Sequence, residues 1–211
     1  YVMKKLGYKE IKMLFFDYGQ RSFKAEKKAM IRCAKDVEAE YHLISLNGLN
    51  KLIFSGITHN VKHEKLTRKN LRNTKEESSK FYVPFRNTIF ASYAIAYAET
   101  LGRKDKVTIF FGFKSEGSES YSDTTKEYVK ELNNLLKKMK ILNVNVSAPL
   151  IDMDKEDIVT LGVDLHVPIE KTFSCYINSK THCGKCLACV LRQEGFYWAN
   201  IRDRTRYLSK K

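Results

Sequence analysis

A chain of 211 residues, 43% hydrophobic and 29% charged, is long enough to bury a sizeable core and too apolar to be disordered. No run approaches the ~20 consecutive apolar residues of a membrane helix, and Tyr1 to Glu10 lacks the apolar core and cleavage site of a signal peptide, so a cytoplasmic protein with no membrane partner is expected. The formal charge of +14 fits polyanionic partners such as nucleic acid or nucleotide phosphates, and equally a solvated basic surface, so it selects no substrate.

Lys12 to Phe16 reads as a buried strand stopped by the turn Asp17-Tyr18-Gly19-Gln20. Ser22 is placed to cap a helix running to about Ala39, and Tyr41 to Leu46 is a second strand. Asn47 to Lys80 shows no periodicity and carries eight Lys/Arg against three Glu. A helix is predicted from Asn87 to Leu101, stopped by Gly102, and then a strand from Lys106 to Phe111. Asp123 is the expected cap of a helix through Lys138, and Ile141 to Ala148 is the fourth strand. Asp154 is the expected cap of a short helix ending at Gly162, and a last helix spans about Val190 to Asn200. Alternating strands and helices predict an α/β fold, a Rossmann-like parallel sheet with helices on both faces. Ligands of such sheets bind beyond the carboxyl ends of the strands, which places 17–21 and 112–123 beside the site.

Four of the five cysteines, Cys175, Cys183, Cys186 and Cys189, lie within fifteen residues at x7, x2 and x2 spacing. Four thiolates fill a tetrahedral zinc shell and leave no position for water, the mark of a structural site. Gly184 frees the knuckle between Cys183 and Cys186 to turn. Lys180, Lys185 and Arg192 are placed to offset the −2 charge of a zinc tetrathiolate. His182 adjoins the cluster without being needed in it, and Cys33 reads as an ordinary buried thiol. His59 and His63 stand at helical spacing with no obvious third ligand, so solvated histidines are the simpler reading. The division expected is a Rossmann-like domain over 1–168 and a zinc-binding segment with a C-terminal helix over 169–211.

Several segments, in order, carry a resemblance: Phe16-Asp17-Tyr18-Gly19-Gln20-Arg21, Tyr82-Val83-Pro84-Phe85-Arg86-Asn87-Thr88-Ile89-Phe90, Ala148-Pro149-Leu150-Ile151-Asp152 with Lys155, and Ser174-Cys175-Tyr176 with the remaining cysteines. Together they resemble the 7-cyano-7-deazaguanine synthase family of the ATP-pyrophosphatase group, over nearly the whole chain. The resemblance implies an ATP- and Mg²⁺-dependent ligase converting 7-carboxy-7-deazaguanine and ammonia into the nitrile, a precursor of queuosine. It implies Arg86 and Asn87 near the phosphates or acyl-adenylate as catalytic residues, the alternative being a helix cap with a surface ion pair. Asp17 and Tyr18 would border the ATP pocket or form only a structural turn. Tyr121 and Asp123 match a substrate-side motif, with Asp123 facing the guanine-like edge unless it is merely a helix cap.

Two departures stand out. The family's Ser-Gly-Gly-x-Asp-Ser phosphate loop does not occur in these residues, and Tyr1 to Tyr8 matches the end of the helix that follows it. An N-terminal piece is therefore expected to be absent from the sequence, and these residues alone are not expected to hydrolyse ATP. Thr124-Thr125 stands where the family usually has Cys-Arg. That keeps open a synthase conjugating a deazaguanine to a macromolecule, as in antiviral defence, with 47–80 contacting the acceptor. A non-catalytic, zinc-stapled nucleic-acid-binding module is the reading from another class, and a homodimer stays open as an assembly.

Overall fold

The computed structural model describes residues 1–62, 66, 71, 74–101, 106–114, 121–178 and 180–208. The expected Gly102 helix stop, His63 and most of 112–120 lie outside them. The elements are α1 (Val2–Lys5), β1 (Lys12–Asp17), α2 (Phe23–Asp36), β2 (Glu40–Ser45), α3 (Leu49–Leu52), α4 (Lys75–Ser79), α5 (Arg86–Leu101), β3 (Val107–Phe110), α6 (Lys126–Lys138), β4 (Val144–Ser147), α7 (Lys155–Asp164) and α8 (Leu187–Trp198). All strand pairs are parallel and flanked by helices, the α/β class that the alternation of elements predicts.

The chain divides into two compact units, residues 1–83 with 155–211, and residues 84–154. In the first, β1 and β2 pair from Lys12↔Glu40 to Asp17↔Ser45, with α2 as the crossover. Ile11, Phe16, Ala34 and Val37 are buried there. Ser22 occupies the N-cap position of α2 but caps no backbone amide; its hydroxyl donates to Glu26 Oε1. Beyond β1 the chain folds back through Gln20, whose Nε2 donates to the Phe16 carbonyl at 2.8 Å while its Oε1 accepts the Tyr18 amide at 3.0 Å. A glutamine can make both bonds at once, and burial at this turn demands that both be made. Among the described residues of 47–80, without periodicity in sequence, the α-helices are the short α3 and α4.

In the second unit β3 and β4 pair from Val107↔Val144 to Phe110↔Ser147. Ala91 and Ala98 of α5 and Leu132 and Leu136 of α6 form one core with Ile141, Val144 and Val146. The Asn133 carboxamide pairs with residue 146 as a neighbouring strand would, accepting from its amide and donating to its carbonyl, both at 2.9 Å. Buried backbone groups need partners, and here a helix side chain supplies both.

Two helix starts differ from the sequence expectation. α6 begins at Lys126 and its cap is Thr125, whose Oγ1 accepts the Tyr128 amide at 3.1 Å; Asp123 lies in a preceding 3₁₀ turn, Ser122–Thr124. α8 begins at Leu187, inside the cysteine run rather than at Val190.

Candidate metal centre and ligand-facing residues

Cys175, Cys183, Cys186 and Cys189 are all buried, and their sulfurs lie within 4.8 Å of one another. Cys183 Sγ and Cys189 Sγ are 3.9 Å apart, and Cys186 Sγ and Cys175 Sγ 4.0 Å. A regular tetrahedron with metal–sulfur bonds of ~2.3 Å has edges of about 3.8 Å, so the donor set fits one tetrahedral ion. Gly184 sits at φ +78°, the left-handed turn that a side chain would oppose. The turn aims the amides of Lys185 and Cys186 at Cys183 Sγ, at 3.4 and 3.2 Å. Hydrogen bonds within the cluster pull the Cys183 thiol down and push those of Cys186 and Cys189 up, as expected of thiols close enough to share protons. Among the described residues this is the one group of three or more potential ligands brought together.

The surroundings are packed for stability. His182 is buried and stands outside the ligand set. Its Nε2 accepts the Ser174 amide at 3.2 Å and its ring packs 4.6 Å from Phe173. Burial, reinforced by the Arg192 charge, lowers its imidazolium to about 4, so the ring is neutral. Arg192 is used as a clamp: Nε donates to Thr205 Oγ1, Nη1 to Thr172 Oγ1 and Nη2 to the Ile169 carbonyl, at 3.0, 2.9 and 2.6 Å. Its guanidinium also lies 5.5 Å over Phe196. Lys180 and Lys185 are exposed, and Cys33 is half-buried. His59 stacks 4.8 Å from Phe54 and its Nδ1 pairs with Thr58 Oγ1 at 2.9 Å.

A polar constellation forms in the second unit at the start of α5. Asn87 and Asp123, 36 positions apart, meet there and both are buried. The Asn87 amide donates to Asp123 Oδ2 at 3.3 Å, and Asn87 Nδ2 donates to the Asp123 carbonyl at 3.4 Å. Asn87 Oδ1 accepts both Nε and Nη2 of Arg86 at 3.1 Å. Asp123 is 6% exposed, and its Oδ1 has no hydrogen-bond partner among the described residues. An unmatched buried carboxylate oxygen is costly unless it meets a donor when a ligand arrives. Tyr121 precedes this turn, and its carbonyl accepts from the Thr124 amide and hydroxyl at 3.0 and 2.9 Å.

Phe85 enters α5 at φ +58° and is 65% exposed. Among the described residues the other non-glycine positions of positive φ, Glu38, Lys140, His166 and Asn200, each follow a helix end, where the left-handed conformation is a common stop. Phe85 instead precedes a helix. Asp17 and Tyr18 belong to the first unit. Asp17 Oδ1 accepts the Gly19 amide at 3.1 Å, and Tyr18 is buried. Sequence reasoning missed the Gln20 clasp and the Thr125 cap. The cap carried a signal, a threonine before a first turn containing Glu127.

Comparison with known proteins reaches the same residues. The family described as queuosine biosynthesis protein QueC matches residues 1–200. A 7-cyano-7-deazaguanine synthase of Methanobrevibacter smithii is 34% identical over 201 residues, covering 94% of this chain and 87% of that protein. Those of Rickettsia canadensis and Methanothrix thermoacetophila are 35% and 36% identical, covering 98% and 94% of this chain and 92% and 88% of theirs. No described helix is long and apolar enough to cross a membrane. With the match running through the DYGQ turn, the Arg86-Asn87 helix start and all four clustered cysteines, the chain belongs to the queuosine biosynthesis protein QueC family.

Proposed function

We propose that the protein is a cytoplasmic ligase converting 7-carboxy-7-deazaguanine and ammonia into 7-cyano-7-deazaguanine at the expense of ATP. The single structural observation supporting this is Asp123 Oδ1, a buried carboxylate oxygen without a partner among the described residues, beside a residue that fastens Arg86. A guanine-like edge offers two adjacent N–H donors, the complement of a carboxylate. Arg86 supplies the cation that a phosphate or acyl-adenylate requires.

The chemistry proceeds in two activations. The substrate carboxylate attacks the α-phosphorus of ATP and pyrophosphate leaves. Ammonia then attacks the acyl carbon, and the C–O bond to AMP breaks with loss of a proton, giving the amide. The amide oxygen attacks the α-phosphorus of a second ATP and expels pyrophosphate, and loss of AMP and of the two amide protons gives the nitrile. Neither a carboxylate nor an amide oxygen leaves unaided, so each activation bonds it to phosphorus and lets it depart as part of AMP. Arg86 offsets charge on that group as it departs, and Tyr121 and Asp123 hold the heterocycle. Asp17 and Tyr18 border the nucleotide. Mg²⁺ accompanying ATP would screen the phosphate charge.

Zinc held by Cys175, Cys183, Cys186 and Cys189 would staple 169–211 to the remainder of its unit, with no open position for catalysis. Thr124 and Thr125 are spent on the turn and the α6 cap, so the departure at those positions gives no support to another product. The experiment is product analysis of the full-length protein with ATP, ammonia and the deazaguanine carboxylate. The nitrile with AMP and pyrophosphate is expected; ATP consumption indifferent to the deazaguanine rejects the assignment.

A further inference from the structure

Asn87 is buried, and the hydrogen bonds of its side chain run to other protein groups. Oδ1 faces the Arg86 guanidinium fork, Nδ2 faces the Asp123 carbonyl, and the backbone amide holds Asp123 Oδ2. An asparagine so engaged has no acceptor left for a phosphate's surroundings and little donor capacity for a substrate. It does join the cation to the carboxylate across one residue. The bond to Oδ2 fixes the carboxylate rotamer, and that rotamer determines where the unpaired Oδ1 points.

We infer that Asn87 is a positioning residue that ties Arg86 to Asp123: its carboxamide holds the guanidinium and the main-chain carbonyl of the Asp123 turn, while its backbone amide holds the Asp123 carboxylate. This rests on the reading of Asp123 as the heterocycle's partner. Misplacement of a recognition carboxylate by a fraction of an ångström weakens its ligand well before the protein unfolds.

The two faces of the carboxamide can be separated. Asn87→Asp keeps an oxygen for Arg86 but replaces the donor to the Asp123 carbonyl with a second acidic oxygen, and adds like charge beside Asp123. Asn87→Ala removes both faces. In the full-length protein, Asn87→Asp should weaken 7-carboxy-7-deazaguanine binding by calorimetry tenfold or more. Its KM for ATP should change much less than its deazaguanine affinity. Asn87→Ala should weaken the heterocycle and lower kcat as well, because the fork that Arg86 makes on Oδ1 is then lost.

Equal losses for ATP and deazaguanine in Asn87→Asp, or deazaguanine binding at the parent's strength, would overturn the inference while leaving the function standing. A parent protein that binds ATP but no deazaguanine would overturn both. Should Asn87→Asp fail to fold by circular dichroism, Arg86→Lys carries the test. A lysine breaks the fork on Asn87 Oδ1 while keeping the charge, so deazaguanine affinity should fall severalfold, and unchanged affinity overturns the inference.

Discussion

Thr125 Oγ1 accepts the Tyr128 amide at 3.1 Å, and this bond is what releases Asp123 from capping α6. A helix start needs one side-chain acceptor, and Thr125 provides it two residues after a carboxylate that sequence rules favour for the same work. Asp123 is left buried, anchored on one oxygen by Asn87 and, among the described residues, without a partner on the other. Asp123→Asn removes the charge and replaces an acceptor with a donor. Calorimetry should show deazaguanine affinity reduced at least tenfold and ATP affinity unchanged; equal reductions would contradict the role given to Asp123.

The cap itself makes a separate prediction. Thr125→Ala should cost about 1 kcal/mol of stability, and Thr125→Ser much less, in urea unfolding at equilibrium. Both variants should retain the same deazaguanine affinity to within about threefold, because the hydroxyl serves the helix rather than the ligand. Weakening of the ligand by Thr125→Ser would show that the threonine does more.

How far the sequence could be read follows from how local each signal is. β1, β2, β3 and β4 were legible as apolar runs, and α5 as a helix, because each announces itself within a dozen residues. The cysteine cluster was legible from spacing alone. The start of α8 was not, because Leu187 directly follows a cysteine that serves as N-cap, and no ordinary capping residue marks the place. The Asn87–Asp123 pair was invisible for another reason: 36 residues separate the partners, and neither type implies the other. At Asp123 two local rules competed, and the nearer threonine won the cap.

Phe85 offers a test of backbone strain. A bulky residue at φ +58° costs on the order of 1–3 kcal/mol, which glycine would not incur. With its ring 65% exposed, little packing is lost on its removal. Phe85→Gly should therefore melt at or above the parent's temperature after the added chain entropy is set against the strain. Destabilisation beyond about 2 kcal/mol would show that the ring is held by contacts the strain argument leaves out.

The cysteine cluster is expected to carry one zinc per chain. Cys186→Ser should lose the metal by elemental analysis and unfold about 10 °C lower, as removal of one ligand opens a closed shell. A chelator strong enough to strip the parent should reproduce the same shift. A metal-free protein of unchanged melting temperature would contradict the stapling role.

Arg86→Ala should reduce kcat/KM by about 10² or more, with a melting temperature within a few degrees of the parent, since a charge aimed at a leaving phosphate acts chiefly in the transition state. A loss of stability on the scale of the loss of rate would instead assign Arg86 to the fold.

The most direct measurement is mass spectrometry of the full-length protein's reaction with ATP, 7-carboxy-7-deazaguanine and ammonia labelled with heavy nitrogen. The account predicts a free nitrile carrying the label, with one AMP and one pyrophosphate released for each activation step. A deazaguanine conjugated to another molecule, or ATP consumed at the same rate without the deazaguanine, would contradict it.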